Sequence, residues 1–139
     1  MRALRLALIV LACALAAALG ACGGGGDDDP HCRIYLVHDS SGSFDALHVV
    51  DSPAGGNWGS NLLDQPPEYL SSNPTWRVFR FDAGRVIDHR LVYTLGSAQT
   101  TSDHEGDSCD DGEGVKYEIS VGAASGKSRL FTTTFNFDH

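Results

Sequence analysis

The sequence predicts an all-β fold, a single small antiparallel β-sandwich of about six or seven strands. Short segments alternate apolar and polar residues, and clusters of Gly, Pro, Ser and Asp separate these segments. Apart from an apolar run near the N-terminus, no stretch longer than about one turn has the helical period of 3.6 residues. Frequent turns between short alternating segments are typical of small sandwiches.

The alternation predicts strands at 31–38, 44–50, 76–82, 86–95, 115–121 and 128–137. In the first of these, Cys32, Ile34 and Leu36 occupy one face. The pair Ala83-Gly84 predicts a tight turn that joins the third and fourth strands as a hairpin. We expect the turn at 58–63 to plug one end of the core with its Trp and two Leu side chains. The polar segment 96–114 is predicted to be a long loop.

The N-terminus carries a separate pattern. Arg2 and Arg5 flank the start of an apolar run at 4–19, which ends in Leu19-Gly20-Ala21-Cys22. This pattern resembles the signal peptide and lipobox of bacterial lipoproteins, which signal peptidase II cleaves before the cysteine. The resemblance implies that Cys22 becomes the acylated first residue and that Cys13 is discarded. A retained transmembrane helix is the alternative, although the run is shorter than the roughly 20 residues that cross a bilayer.

The chain is therefore divided into a lipoprotein signal peptide at 1–21, an acylated cysteine with a Gly/Asp linker at 22–30, and the sandwich at 31–139. Four glycines and three aspartates in the linker favour solvent over packing. Two or more acyl chains give stable membrane anchoring, so we expect an exported, lipid-anchored protein of the cell envelope. Gly23 follows the cysteine in place of the Asp that retains some lipoproteins at the inner membrane, which favours the outer membrane or cell surface.

Charge and cysteine content restrict the partners. Without Arg2 and Arg5, 10 − 2 = 8 basic residues face 18 acidic ones, a net charge of −10. Such a domain repels nucleic acid and anionic headgroups, so we expect no nucleic-acid partner. We expect a monomer, with an envelope protein as its possible partner. Cys32 and Cys109 are the two cysteines of the predicted domain. Because exported domains meet an oxidising environment, we predict that they form a disulfide.

An acidic segment at 103–118 is the best candidate for a ligand site. Ca²⁺ takes six to eight oxygen ligands, and the candidate metal ligands are Asp107, Asp111, Glu113 and Glu118. The spacing partly follows an EF-hand loop, but Cys109 stands where an oxygen ligand belongs and no helices flank the segment. An irregular calcium site and a solvated acidic loop without metal both remain open. No other cofactor is expected.

One local pattern suggests a family. It consists of Asp39-Ser40-Ser41, Phe44, Leu47-His48-Val49, Ser52-Pro53 and Trp58-Gly59-Ser60-Asn61-Leu62-Leu63. It resembles a family of small exported bacterial β-domains without an established activity, and so implies a fold and a location. A second pattern, Asn73-Pro74, Arg77, Phe81-Asp82, Gly84, Asp88 and Tyr93, is similar to the terminal strand pair of sphingomyelinase-like metallophosphoesterases. The dinuclear metal core of those enzymes has no counterpart in this sequence, so this resemblance implies an accessory element without catalysis.

No motif in the sequence indicates catalysis. The serines at 40, 41 and 43 lack a Gly-x-Ser-x-Gly elbow, and the six histidines lack the spacing of a zinc helix or knuckle. His48 and His89 would meet if they lie on facing strands, but a single sequence does not reveal how strands pair. We therefore expect a binding or interaction module and not an enzyme. The alternatives are a calcium-binding β-domain and a small hydrolase, which would need a cleft that joins histidine and carboxylate side chains.

Overall fold

A computed structural model describes residues 29–64, 69–70 and 76–137, and these residues form a sandwich of two β-sheets. The strands are β1 His31–His38, β2 Gly42–Asp51, β3 Tyr69–Leu70, β4 Trp76–Asp82, β5 Arg85–Leu95, β6 Ala98–Cys109, β7 Glu113–Val121 and β8 Ser128–Asn136. A short 3₁₀ helix, Leu62–Asp64, follows β2. The predicted all-β sandwich is confirmed. The predicted signal peptide, Cys22 and most of the linker lie outside the described residues.

The larger sheet has the strand order β3-β4-β1-β7-β8, and the smaller sheet has the order β2-β5-β6. Neighbouring strands are antiparallel with one exception, the parallel pair of β1 and β7, in which Ile34 lies beside Val115. This pair lies in the middle of the larger sheet. Consistent with that position, β1 buries five of its eight residues. In the part of the chain that the structure describes, no helix is long and apolar enough to cross a membrane.

The core lies between the sheets. Its buried side chains come from both sheets and are Ile34, Leu36, Leu47, Phe79, Leu91 and Tyr117. Leu62 and Leu63 pack against this cluster, as predicted for the turn at 58–63. Trp58, the third side chain expected there, is not part of the cluster and instead has the Arg90 guanidinium 4.5 Å above its ring. The Asn61 Oδ1 atom accepts hydrogen bonds from the backbone N–H groups of Leu47 and Leu63. This asparagine therefore fixes the turn to β2 and holds the two leucines over the core.

The predicted disulfide is present, since Cys32 of β1 is bonded to Cys109 at the end of β6. Both cysteines are buried, and Ile87 packs against them. The bridge links the larger sheet to the smaller one, because β1 and β6 belong to different sheets. A crosslink across 77 residues of sequence lowers the chain entropy of the unfolded state. In the loop-closure treatment, this loss increases the free energy of unfolding by about 4 kcal/mol.

Two sequence-based expectations are wrong. The segment predicted as a loop at 96–114 forms β6, a turn and the start of β7. The polar residues of β6 suit an edge strand, which needs backbone pairing to β5 but little apolar surface. The predicted hairpin across Ala83-Gly84 is also absent among the described strands, because β4 pairs with β1 and β3, whereas β5 pairs with β2 and β6. The turn instead carries the chain from one sheet to the other.

Candidate functional site

A cleft of about 530 Å³ opens between the two sheets. Strands β5 and β6 form one wall, and β1, β7 and β8 form the other. Its polar lining includes His89, His104, Asp107, Glu113 and Tyr117. Apolar walls with a few converging polar groups are typical of small-ligand sites, so this cleft is the candidate functional site.

A bulge in β6 brings two of these side chains together. His89 pairs with His104, and Ile87 pairs with Asp107, so β6 carries one residue more than β5 between the two pairs. Residues three apart lie on opposite faces of a regular strand, whereas the extra residue returns His104 and Asp107 to one face. Gly106 has a φ of +73°, which an L-residue with a side chain adopts at a cost.

Asp88 fixes the bulge from the other side of β5. One carboxylate oxygen accepts a hydrogen bond of 2.8 Å from the Gly106 N–H, and the other accepts one of 2.7 Å from the Ala54 N–H. These two bonds, with a further one from Ser52, hold the pKa of Asp88 below its usual value. Asp88 therefore stays ionised and ties β5 to both the bulge and the loop after β2.

His89 is the central group of the site. It is 2% exposed, and its Nε2 atom lies 2.5 Å from the Tyr117 hydroxyl oxygen on the opposite sheet. Its Nδ1 atom is buried and makes no hydrogen bond, although the Asp107 Oδ2 atom lies 3.4 Å away. A buried ring nitrogen without a partner is costly, so this atom requires an explanation.

His104 stacks on His89, with ring centroids 4.5 Å apart and an angle of 3° between the planes. Its Nε2 atom lies 3.1 Å from the Ser102 hydroxyl oxygen. Each histidine therefore has a hydroxyl group at Nε2, which leaves Nδ1 as the nitrogen for another ligand. One ligand atom each from His89, His104 and Asp107 lie within 4.8 Å of one another.

His89 and Tyr117 are both uncharged at pH 7. Burial, assisted by the neighbouring His104 and opposed by Asp88, lowers the pKa of His89 to about 4, so its imidazole is neutral at pH 7. Burial and the charge of Asp107 raise the pKa of the Tyr117 phenol above its usual value. Tyr117 thus keeps its proton and can serve as a hydrogen-bond donor, whereas a phenolate nucleophile is disfavoured.

The four predicted calcium ligands fall in three places. Asp107 and Glu113 line the cleft. Asp111 lies in the turn between β6 and β7, where its Oδ1 atom accepts a hydrogen bond from the His31 backbone N–H. Glu118 pairs with Lys116 at 2.9 Å. Two of the four residues therefore reach the cleft.

Sequence reasoning missed His89, His104 and Tyr117 as members of one site. One signal was present in β5, where His89 interrupts the inward-facing apolar residues Ile87 and Leu91. His48, the other histidine that the sequence suggests as a neighbour of His89, lies on β2 opposite Arg90. Its Nδ1 atom is 3.1 Å from the Gly59 carbonyl oxygen. The pairing with His104 depends on the bulge, which has no apolar pattern to reveal it.

Comparisons of the chain with protein-family models, with curated proteins and with solved structures found no match.

Proposed function

We propose that the protein is a lipid-anchored binding domain of the bacterial cell envelope, which offers the cleft between its sheets to a ligand. The observation that carries the anchor is the run of Leu19-Gly20-Ala21-Cys22 after a charged and apolar N-terminal segment. The disulfide supports export, because such bridges persist in oxidising compartments. The open cleft supports binding, because its apolar walls carry a few polar side chains, including His89 and Tyr117, that a ligand can contact.

The anchor is tested by metabolic labelling of the full chain in a bacterial host with radioactive palmitate. Wild type should be labelled, shortened and recovered with membranes. Cys22→Ala should remain an unlabelled precursor. Cys13→Ala is the matched control, since this cysteine lies in the segment that cleavage removes, and it should behave as wild type. Label on Cys22→Ala, or an unlabelled wild type, would refute the anchor.

The binding role is tested by filling the cleft. Thr132 and Thr134 line it from β8, whereas Thr133 between them is exposed outside it. Alternate residues of a strand point to opposite faces, so Thr133→Trp is a matched control for Thr132→Trp. We expect envelope components cross-linked to wild type and to Thr133→Trp to be lost from Thr132→Trp. The same set of cross-linked components in all three proteins would contradict a ligand in the cleft.

A further inference from the structure

The buried Nδ1 atom of His89 faces the Asp107 carboxylate without a hydrogen bond between them. If Nε2 carries the proton and donates to Tyr117, Nδ1 presents a lone pair toward a carboxylate oxygen 3.4 Å away. A lone pair and an anionic oxygen repel each other at this distance unless a cation lies between them. The other tautomer does not satisfy Nδ1 either, because this atom makes no hydrogen bond to Asp107 whichever nitrogen carries the proton. A positive ion shared by His89 and Asp107 explains the arrangement.

We propose that His89, His104 and Asp107 bind a divalent transition-metal ion, with Zn²⁺ the best match. The three residues offer two imidazole nitrogens and one carboxylate oxygen within 4.8 Å of one another. Zn²⁺ binds this donor set and commonly takes three protein ligands with a fourth position left for water or a substrate. Ca²⁺ is a poorer match because it takes six to eight oxygen ligands and avoids imidazole.

The surroundings of the two rings support this assignment. Histidine ligands usually place their second ring nitrogen against a hydrogen-bonding group that fixes the ring. The Tyr117 hydroxyl occupies this place for His89, and the Ser102 hydroxyl occupies it for His104. Both hydroxyls can accept a hydrogen bond from Nε2–H, which leaves the two Nδ1 atoms free for the ion.

The site is open enough to load. The side chain of Asp107 is 50% exposed, and the cleft gives access to all three residues. Imidazole lone pairs lie in the ring plane, so two rings stacked at 3° do not point at a common ion. Loading therefore requires a tilt of His104, which is half-buried and freer to move than His89. The fourth coordination position would then face the cleft.

The test is calorimetric titration of Zn²⁺ into the full chain, expressed in a bacterial host and purified in detergent, after removal of metals with EDTA. We expect one ion per chain and a higher melting temperature with Zn²⁺. His104→Ala and Asp107→Asn should each lose at least tenfold in affinity. Both residues are at least partly exposed, which limits the cost of these changes to folding. Glu105→Gln, an exposed acid on the same strand, and His48→Ala are matched controls that should bind Zn²⁺ as wild type does.

Absence of Zn²⁺ binding to folded wild type would overturn the assignment, as would unchanged affinity in both ligand variants. Binding of Ca²⁺ in place of Zn²⁺ would also overturn it and would favour a site of oxygen ligands. These outcomes are independent of the palmitate experiment, because a metal site in the cleft does not depend on the lipid anchor.

Discussion

At the scale of single residues, Asp45 illustrates how one carboxylate fixes an irregular strand. It lies where the register of β2 against β5 shifts between Phe44 and Ala46. Its carboxylate accepts hydrogen bonds from the Thr94 hydroxyl at 2.6 Å and from the Gln99 amide at 3.0 Å. These bonds favour the charged form and lower the pKa of Asp45 below its ordinary value of 3.8.

This shift predicts a pH dependence of stability. Because the pKa is lower in the folded state than in the unfolded state, the stabilisation is present above about pH 4 and is lost as the pH falls through the folded pKa. Replacing Asp45 by Asn should therefore reduce the free energy of unfolding more at pH 7 than at pH 2.5. Urea unfolding of both proteins at the two pH values measures this difference. Thr94→Val removes the main hydrogen-bond donor to Asp45, so Asp45→Asn made in that background should have a smaller difference in effect between the two pH values. An equal effect of Asp45→Asn at both pH values would disprove the stabilising role of the ionised carboxylate.

At the scale of elements, the bulge in β6 determines whether the cleft has its histidine and carboxylate side by side. Gly106 has a φ of +73°, and a Cβ atom placed there would meet no atom within 4 Å. The cost of a substitution is then one of backbone conformation alone. Gly106→Ala should lower the free energy of unfolding by about 1 kcal/mol. Gly106→Asn should cost less, because Asn enters the left-handed region more readily than other residues with side chains.

Urea unfolding of the two variants measures these costs. If Gly106→Ala were as stable as wild type, the left-handed conformation at Gly106 would be wrong, and with it the placement of His104 and Asp107 on one face. If Gly106→Asn and Gly106→Ala lowered the free energy of unfolding by the same amount, the destabilisation would have a cause other than the φ angle.

The elements also show what could be predicted from the sequence. Strand β1 alternates Ile34 and Leu36 with more polar residues, and such a pattern follows directly from burial of one face. Strand β6 has no pattern of this kind, because it lies at an edge, where backbone pairing with β5 suffices. The candidate site depends on this strand and its bulge. The acidic residues could be noticed from composition, but the pairing of His89 with His104 depends on a register that a single sequence does not contain.

At the scale of the whole molecule, the question is what keeps the two sheets together at the end where the cleft opens. The main apolar cluster joins the sheets through residues such as Leu36, Leu91 and Tyr117. Beside the cleft, the second cluster is small, with Cys32, Cys109 and Ile87 buried in it and the partly buried Val49 and Phe81 packed against it. The disulfide is therefore the main link between β1 and β6 in this region, and it also closes a loop of 77 residues.

Removing this bridge should destabilise the protein strongly. The loop-closure treatment assigns about 4 kcal/mol to a bridge of this span, which is a large part of the roughly 5–15 kcal/mol typical of whole proteins. We expect Cys32→Ala with Cys109→Ala to shift the urea midpoint far downward, and we expect a reducing agent to do the same to wild type. The double variant should not respond to the reducing agent, which separates the bridge from general effects of the reagent. A wild type whose midpoint is unchanged on full reduction would show that apolar packing alone holds the sheets together, and the cleft would then owe its shape to the core and not to the bridge.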